Sequence, residues 1–215
     1  MNTHLCIFDL DGTLIDSQVD LANSVNATRA WAGLDPFPMA QGASYVGNGA
    51  PMLVRRALPD ADDQLLEEGL KFFLAYYKAH MLDETTLYPG VREALDEMHA
   101  AKVKLAILTN KPVKFSVQLV AGLGLSEHFF RIYGGNSFEE KKPHPIGIEK
   151  LRHESGIDAA RTVMVGDSSV DVLTARNAGV QACGVSWGFQ PETFVEHPPD
   201  FIVADLRELT ARVAR

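Results

Sequence analysis

The sequence predicts an α/β fold, a doubly wound and mainly parallel sheet with an inserted all-helical cap. Two observations predict it. After residue 84, short apolar runs alternate with amphipathic stretches, which is typical of parallel strands covered by helices. Between residues 15 and 83 the apolar residues recur only at helical spacing. We therefore expect residues 1–14 and 84–215 to form a Rossmann-like core, and residues 15–83 to form a cap over the carboxyl ends of the strands.

Each predicted element follows from its local pattern. The first strand is the apolar run at 5–8, and a first cap helix is expected to about residue 33. Pro51 suits a first helical turn at 50–58, and a leucine and aromatic stripe predicts a helix at 62–80. In the core, Pro89 and Gly90 precede a helix at 91–101. Further strands are expected at 103–108, 132–133, 162–165, 182–185 and 201–203. Further helices are expected at 113–123 and 145–154, after residue 171 as far as residue 178, and at 206–213.

Composition and charge narrow the class of protein. With 215 residues, of which 46% are hydrophobic, the chain can bury a sizeable core. Its formal net charge of -8 argues against nucleic acid as a partner, because phosphate-backbone binding needs clustered Lys and Arg. No apolar run approaches the ~18 residues of a membrane span, and no signal segment is expected before the first strand. We expect a cytoplasmic monomer or homodimer, with Cys6 and Cys183 as buried, reduced thiols.

Two carboxylates follow the first strand. Asp9 and Asp11 are spaced i, i+2, so extended backbone directs both to one face, and Gly12 lets the chain turn directly afterwards. Two carboxylates roughly 4 Å apart repel by about 4 kcal/mol at an effective dielectric constant of about 20, so a proton or a cation is expected between them. On its own, this segment also fits an ordinary strand end followed by an Asp-Gly turn.

Other polar residues are predicted to lie at the same edge of the sheet. They share a position directly after a predicted strand or in a proline-rich loop: Thr109, Asn110, Lys141, Lys142, Asp167, Ser168 and Asp171. Because the carboxyl ends of parallel strands share one edge, these groups are expected to converge with Asp9 and Asp11. This convergence favours a functional site over an isolated turn.

The order of these motifs resembles that of the haloacid dehalogenase superfamily. The segment at 9–13 is similar to the superfamily's first motif, Thr109 to its second, Lys142 to its third, and residues 166–171 to its fourth. The resemblance covers the whole chain, including the helical insertion after the first motif. Within the superfamily, the segments at 46–50, 109–112 and 141–145 are most similar to phosphoglycolate phosphatases. Related phosphatases with other substrates share most of these features.

The resemblance implies a role for each motif. Asp9 is implied to be the nucleophile that forms an aspartyl-phosphate, and Asp11 the general acid and base. The implied Mg²⁺ ligands are the Asp9 and Asp167 carboxylates and the Asp11 backbone carbonyl, since oxygen ligands suit this hard cation. Lys142 is preferred to Lys141 because the superfamily's lysine directly precedes Pro-x-Pro. The groups implied for phosphate oxygens are Thr109 and Lys142, and the supporting residues are Gly12, Asn110, Ser168 and Asp171.

These roles describe a Mg²⁺-dependent phosphate-monoester hydrolase, and the resemblance implies 2-phosphoglycolate, cleaved to glycolate and phosphate, as the small phosphorylated substrate. A phosphatase for sugar phosphates or a pyrophosphatase is the alternative within the superfamily, and a phosphomutase shares the first motif. A dehalogenase needs no acid or base at Asp11. A non-enzymatic phospho-acceptor module, similar to response-regulator receivers, also combines acidic residues with Thr and Lys, but such modules have no helical lid.

The cap is expected to bind the part of the substrate that is not phosphate. The turn at Gly47, Asn48 and Gly49 precedes a helix whose N-terminal amides can hold an anion such as a carboxylate. Arg55 or Arg56 in that helix could pair with the same group. The same residues also fit a plain connector between two helices, and exposed helix arginines are common.

Overall fold

The computed structural model describes residues 3–38 and 49–212 of the chain. The chain divides into two compact units, which we call the sheet unit and the helical unit. The sheet unit consists of Met1–Ile15 and Leu87–Arg215, and the helical unit is Asp16–Thr86. The division into a core and an insertion at residues 15–83 stays a prediction.

The predicted mainly parallel sheet is confirmed. The strands of the described residues are β1 (Leu5–Phe8), β2 (Ile15–Asp16), β3 (Thr86–Leu87), β4 (Lys104–Leu108), β5 (Phe129–Tyr133), β6 (Thr162–Gly166), β7 (Gln181–Val185) and β8 (Phe201–Val203). A six-stranded sheet has the order β5-β4-β1-β6-β7-β8, and its neighbouring strands are parallel. β2 and β3 pair with each other. β1 therefore lies inside the main sheet, between β4 and β6.

The other regular elements of the two units are helices. The α-helices of the described residues are α1 (Gln18–Trp31), α2 (Ala50–Ala57), α3 (Asp63–His80), α4 (Val91–Ala100), α5 (Val113–Gly122), α6 (Ile146–Ser155), α7 (Ser169–Asn177) and α8 (Arg207–Thr210). Short 3₁₀ helices occupy Ser126–His128, Ala159–Arg161 and Pro191–Val195. Within the described residues, no helix combines the length and the apolar character needed to span a membrane.

Several elements differ from their predicted bounds. β5 begins at Phe129 instead of residue 132, and the Phe129 ring packs edge-on against Phe8 with 6.4 Å between ring centroids. α8 ends at Thr210 instead of residue 213. The sequence does not predict β2 and β3, because a strand of two residues has no periodicity that could be recognised.

The main sheet is packed on both faces. Leu5 and Ile7 of β1 belong to a hydrophobic cluster with residues of β4, β6, α6 and α7. Cys6 and Phe8 point to the opposite face, since successive side chains of a strand alternate, and they are also fully buried. Burial on both faces explains why β1 is a continuous apolar run. Cys6 and Cys183 are buried free thiols, as predicted.

The helical unit is held together by buried polar contacts as well as by apolar packing. Asp20 of α1 is buried, and its carboxylate accepts hydrogen bonds from the amides of Glu84 and Thr85 and from the Thr85 hydroxyl, at 2.7–3.2 Å. Arg29 of α1 is buried as well and donates to the Ala57 carbonyl at 2.6 Å. These hydrogen bonds fix the C-terminal end of α2, and residues Glu84 and Thr85 after α3, against α1.

Candidate active site

Adjacent strands of the sheet unit bring the predicted polar groups to one edge. β1 lies between β4 and β6, and the residues directly after these three strands are Asp9, Thr109 and Asp167. The Asp9 amide donates to the Val165 carbonyl at 2.9 Å, so the hydrogen-bond ladder of the sheet extends to the first carboxylate residue. The Thr109 amide donates to the Tyr133 carbonyl at 3.0 Å in the same way. The strand order therefore explains why groups that are distant in sequence meet here.

Lys142 bridges two carboxylates. Its Nζ lies 2.9 Å from Asp9 Oδ2 and 2.6 Å from Asp171 Oδ1, and its side chain is only 2% exposed. The loop that carries it is fixed by Asn110, whose Nδ2 donates to the Lys142 carbonyl at 3.2 Å. Lys141 is exposed. The structure thus brings Lys142, and not its neighbour, into the carboxylate cluster.

Asp171 is fixed at the start of α7 by a capping box with Ser168. Its Oδ2 accepts hydrogen bonds from the Ser168 hydroxyl at 2.9 Å and from the Ser168 amide at 3.2 Å. Its Oδ1 remains for Lys142. A Cβ atom on Gly166 would lie 2.1 Å from Asp171 Cγ, so the carboxylate occupies space that only a glycine at the end of β6 leaves open.

Asp167 is held by the loop that follows β7. Its Oδ2 accepts a hydrogen bond from the Phe189 amide at 2.7 Å. A Cβ atom on Gly12 would lie 2.3 Å from the same oxygen, and one on Gly188 would lie 2.1 Å from Asp167 Cβ. Gly12 also has a φ of +79°, a conformation that favours glycine. Two glycines therefore let the loop and the β1 turn close around this carboxylate.

Three of these carboxylates could hold a metal ion. Oxygen atoms of Asp9, Asp167 and Asp171 lie within 4.8 Å of one another. Such a set of carboxylate oxygens matches the ligands that Mg²⁺ and other hard cations prefer. Among the described residues, the cluster with Asp11 contains four carboxylates and the two ammonium groups of Lys111 and Lys142. Two negative charges remain, which one divalent cation would neutralise.

The charges of the cluster shift the pKa values of its members. Burial, followed by the charge of Asp171, raises the pKa of Asp9 from 3.8 to about 6, although Lys142 acts in the opposite direction. Burial also raises the pKa of Asp167 well above its ordinary range, with help from Asp171 and Asp9. For Lys142, burial disfavours the charged form, but the two carboxylates outweigh it and raise the pKa. The cluster therefore favours a bound cation or protons over bare carboxylates.

Asp11 has a different partner. Its two carboxylate oxygens each accept a hydrogen bond from Lys111 Nζ at 2.9 Å. The Lys111 and Asp11 side chains are 5% and 12% exposed, so this ion pair is largely shielded from solvent. The Lys111 amide also donates to the Thr109 hydroxyl at 3.3 Å. The ends of β1 and β4 are thereby joined through side chains.

Residues 6–185 match the haloacid dehalogenase-like hydrolase family. The chain belongs to this family. Its motifs predicted the resemblance, and the prediction is confirmed. A haloacid dehalogenase-like hydrolase is an enzyme, so the alternative of a non-enzymatic phospho-acceptor module is not supported.

Relatives of this hydrolase cover nearly its full length. A phosphoglycolate phosphatase from Chromobacterium violaceum is 43% identical over 187 residues, which cover 85% of the chain and 84% of that protein. One from Agrobacterium fabrum is 41% identical over 213 residues, 96% of the chain and 90% of that protein. The crystal structure of a predicted phosphoglycolate phosphatase from Haemophilus somnus has a TM-score of 0.94 at 29% identity, covering 99% of the chain and 98% of that structure.

Two features of this haloacid dehalogenase-like hydrolase are missed by the sequence reasoning. Lys111 lies within the segment at 109–112, and nothing in its spacing indicates that it reaches Asp11. The segment at 187–189 has no predicted role, yet it supplies the Phe189 amide to Asp167 and requires Gly188 for close approach. A backbone amide and an absent side chain leave no residue-type signal in the sequence.

Of the residues predicted to contact the rest of the substrate, the structure describes Gly49 and Arg55. Gly47 and Asn48 lie outside the described residues. Gly49 precedes α2 with a φ of +86°. Arg55 is exposed on α2, and its Nη2 lies 3.9 Å from Asp63 Oδ1. Their part in substrate binding stays a prediction.

Proposed function

We propose that this protein is a Mg²⁺-dependent phosphate-monoester hydrolase that forms an aspartyl-phosphate on Asp9, and that its substrate is 2-phosphoglycolate. The observation that carries the proposal is the buried cluster at the end of β1, where Lys142 and the carboxylates of Asp167 and Asp171 surround Asp9. The substrate is supported by the names of the relatives, which are phosphoglycolate phosphatases at about 40% identity. The same proposal places the enzyme in the cytoplasm, as a monomer or a homodimer.

Asp9 suits the role of nucleophile. Its Oδ1 accepts a hydrogen bond from the Leu10 amide at 2.7 Å and its Oδ2 contacts Lys142, so the carboxylate is held in one orientation. As an anion it needs no activating base, in contrast to a serine. In the first step, an Asp9 oxygen forms a bond to phosphorus while the bond from phosphorus to the substrate oxygen breaks. Asp11 donates a proton to that leaving oxygen, which releases glycolate.

The second step returns the enzyme to its starting state. Asp11, now a carboxylate, takes a proton from a water molecule, and the water oxygen forms a bond to phosphorus. The bond between phosphorus and Asp9 breaks, and inorganic phosphate leaves. Thr109 and Lys142 are proposed to contact the non-bridging phosphate oxygens, where negative charge must be neutralised as the phosphoryl group moves. Both lie at the same sheet edge as Asp9 and are buried.

The residues proposed to hold Mg²⁺ are the Asp9 and Asp167 carboxylates and the Asp11 backbone carbonyl, with Asp171 supporting the site. When bound, Mg²⁺ supplies positive charge beside the phosphate and the nucleophile. The charge balance of the cluster supports this choice, because two negative charges are left after the two lysines are counted. Gly12, Asn110 and Ser168 are proposed to support these groups through the contacts described above.

The helical unit is proposed to provide the remaining specificity. The carboxylate of 2-phosphoglycolate would be bound at Gly49 or by Arg55; Gly47 and Asn48, which the sequence also indicates for this role, lie outside the described residues. The N-terminus of α2, directly after Gly49, carries a partial positive charge that favours an anion. Apart from its phosphate, the carboxylate is the group by which an enzyme can distinguish this substrate from simpler phosphate esters.

The test is a steady-state assay of the purified protein with Mg²⁺. We expect 2-phosphoglycolate to give the highest kcat/KM in a panel with sugar phosphates, pyrophosphate and p-nitrophenyl phosphate. Asp9→Asn should abolish turnover without unfolding the protein. Asp60→Asn, which changes an exposed aspartate, should leave turnover unchanged. If a sugar phosphate or pyrophosphate gave a higher kcat/KM, the assignment of 2-phosphoglycolate as the substrate would be wrong. The proposed mechanism at Asp9 would still stand. Full turnover by Asp9→Asn would overturn the mechanism.

A further inference from the structure

We propose that Lys111 is a positioning residue that orients the Asp11 carboxylate for proton transfer. The inference rests on the proposed function, because Asp11 is assigned there as the acid and base. It assigns a task to a residue that the motifs leave without one. It also separates the two lysines of the cluster, since Lys142 contacts Asp9 and Asp171, whereas Lys111 contacts Asp11.

The contact between Lys111 and Asp11 has the geometry of an orienting interaction. Nζ lies at equal distances of 2.9 Å from the two carboxylate oxygens, so it contacts both of them and not one alone. Both side chains are largely buried, which strengthens an ion pair relative to one in water. A carboxylate held this way cannot rotate about its side-chain bonds without losing both hydrogen bonds.

Lys111 is itself fixed by its backbone. Its carbonyl accepts a hydrogen bond from the Gly135 amide at 2.9 Å, and its amide donates to the Thr109 hydroxyl at 3.3 Å. A Cβ atom on Gly134 would lie 2.6 Å from the Lys111 carbonyl oxygen, and one on Gly135 would lie 2.3 Å from the Asn110 carbonyl oxygen. The loop after β5 thus packs closely on the loop after β4. The ammonium group therefore extends from a rigid base.

Asp11, in contrast, lies at the start of a turn. Gly12 directly after it has a φ of +79°, and the chain leaves the sheet at this point. The carboxylate is not one of the three whose oxygen atoms lie within 4.8 Å of one another. Lys111 Nζ contacts both oxygens of this carboxylate.

This arrangement suits both steps of the proposed reaction. When Asp11 carries a proton, one oxygen can still accept a hydrogen bond from Lys111 while the other directs the proton to the leaving oxygen. After the transfer, both oxygens accept from Lys111, as in the structure, and one of them takes the proton of the attacking water. The lysine keeps its own protons throughout and contacts neither phosphorus nor the leaving group.

The first experiment compares kcat and KM for 2-phosphoglycolate in Mg²⁺ between the wild-type enzyme and three variants. Lys111→Met removes the ammonium group, Lys111→Arg keeps a cation, and Lys114→Met changes an exposed lysine nearby as a matched control. We expect Lys111→Met to lower kcat by about 10²-fold, as for the loss of a general acid–base, with KM changed by less than about threefold. Lys111→Arg should recover part of kcat, and Lys114→Met should match the wild type.

The second experiment asks whether Lys111 acts through Asp11. Adding Lys111→Met to an Asp11→Asn variant should cost almost no further rate, since the group that the lysine orients has already lost its function. If the two losses multiply, Lys111 has a separate task and the proposal is wrong. A raised KM with unchanged kcat in Lys111→Met would likewise overturn it, because that pattern indicates substrate binding.

The third experiment does not depend on activity. A crystal structure of Lys111→Met should show the Asp11 side chain in another rotamer or in several, and an unmoved Asp11 would contradict the proposal. If Lys111→Met does not fold, Lys111→Gln takes its place in all three experiments. Should the wild-type enzyme hydrolyse no phosphate ester, the proposed function fails. The crystallographic result would then still decide whether Lys111 orients Asp11.

Discussion

Lys142 carries the positive charge on which the burial of Asp9 and Asp171 depends. Its Nζ is within 3 Å of both carboxylates, and the three side chains are largely removed from solvent. A buried ion pair adds little to the free energy of unfolding compared with well-packed apolar residues. Removing one partner is costly, because it leaves an uncompensated charge in the low-dielectric interior. The stability of the sheet unit and the charge of the candidate site are therefore set by the same side chain.

We predict that Lys142→Met lowers the free energy of unfolding by about 3 kcal/mol at neutral pH in the presence of a chelator, because it leaves two buried carboxylates without their cation. Activity should be lost as well. Urea denaturation followed by circular dichroism measures the stability. Lys141→Met is the matched control, and this change of an exposed lysine should alter stability by no more than about 0.5 kcal/mol. A similar small effect for Lys142→Met would show that the carboxylates do not need the lysine.

At the scale of elements, the loop after β7 is part of the candidate site through its backbone. The Phe189 amide donates to Asp167, and Trp187 Nε1 donates to the Thr13 carbonyl at 3.2 Å, beside the β1 turn. Gly188 lies between these two contacts in the chain, and a Cβ atom on it would lie 2.1 Å from Asp167 Cβ and 2.6 Å from the Gly12 carbonyl oxygen. The loop therefore fixes the position of the Asp167 carboxylate relative to the turn after β1.

We predict that Gly188→Ala lowers kcat/KM and weakens Mg²⁺ activation, because the added Cβ would lie 2.1 Å from Asp167 Cβ and must displace that residue. A titration of activity against Mg²⁺ concentration measures the effect, and a shift of tenfold or more in the half-saturating concentration is expected. Ser186→Ala, in the same loop and exposed, is the control and should leave the titration unchanged. If the titration for Gly188→Ala were unshifted, the displacement of Asp167 would not affect Mg²⁺ binding. Asp167 would then not be a ligand of the metal.

A second prediction concerns the start of α2. Gly49→Val should depress kcat/KM for 2-phosphoglycolate much more than for p-nitrophenyl phosphate, because only the first has a carboxylate for the amides at this helix end. Gly33→Val is the matched control, since Gly33 also has a positive φ, of +75°, lies in the same helical unit and has open space around its Cα. Equal losses on both substrates would mean that the Gly49 turn does not read the carboxylate.

How much of the candidate site could be predicted depends on the kind of group involved. Asp9, Asp11, Lys142 and Asp167 can be proposed from the sequence, because charged residues directly after apolar runs, or beside prolines in a loop, stand out there. The strand order that brings them together follows from parallel topology. The contact of Lys111 with Asp11 was not predictable, because it depends on how the loops after β4 and β5 pack through Gly134 and Gly135. The short strands β2 and β3 carry no pattern at all.

At the scale of the whole molecule, the acidic cluster links stability to pH and to metal. The pKa of Asp9, about 6, and that of Asp167 lie above the ordinary value of 3.8, so between about pH 4 and 6 these two groups bind more protons in the folded protein than in the unfolded chain. Their contribution to the stability of the metal-free protein therefore falls as pH rises through this window. The pKa of Lys142 is raised, so its contribution is fully present below its ordinary value of 10.5 and does not change in this window.

We therefore predict that Mg²⁺ raises the Tm of the protein, and that the increase is larger at about pH 7.5 than at about pH 5, since protons and Mg²⁺ compete for the same carboxylates. Thermal unfolding with Mg²⁺ or with a chelator, at both pH values, measures it. In the chelator series the Tm should fall from the lower to the higher pH. Asp167→Asn should weaken both effects, because it removes one buried carboxylate. An increase in Tm with Mg²⁺ that is equal at both pH values and unaffected by Asp167→Asn would place the ion elsewhere on this acidic chain.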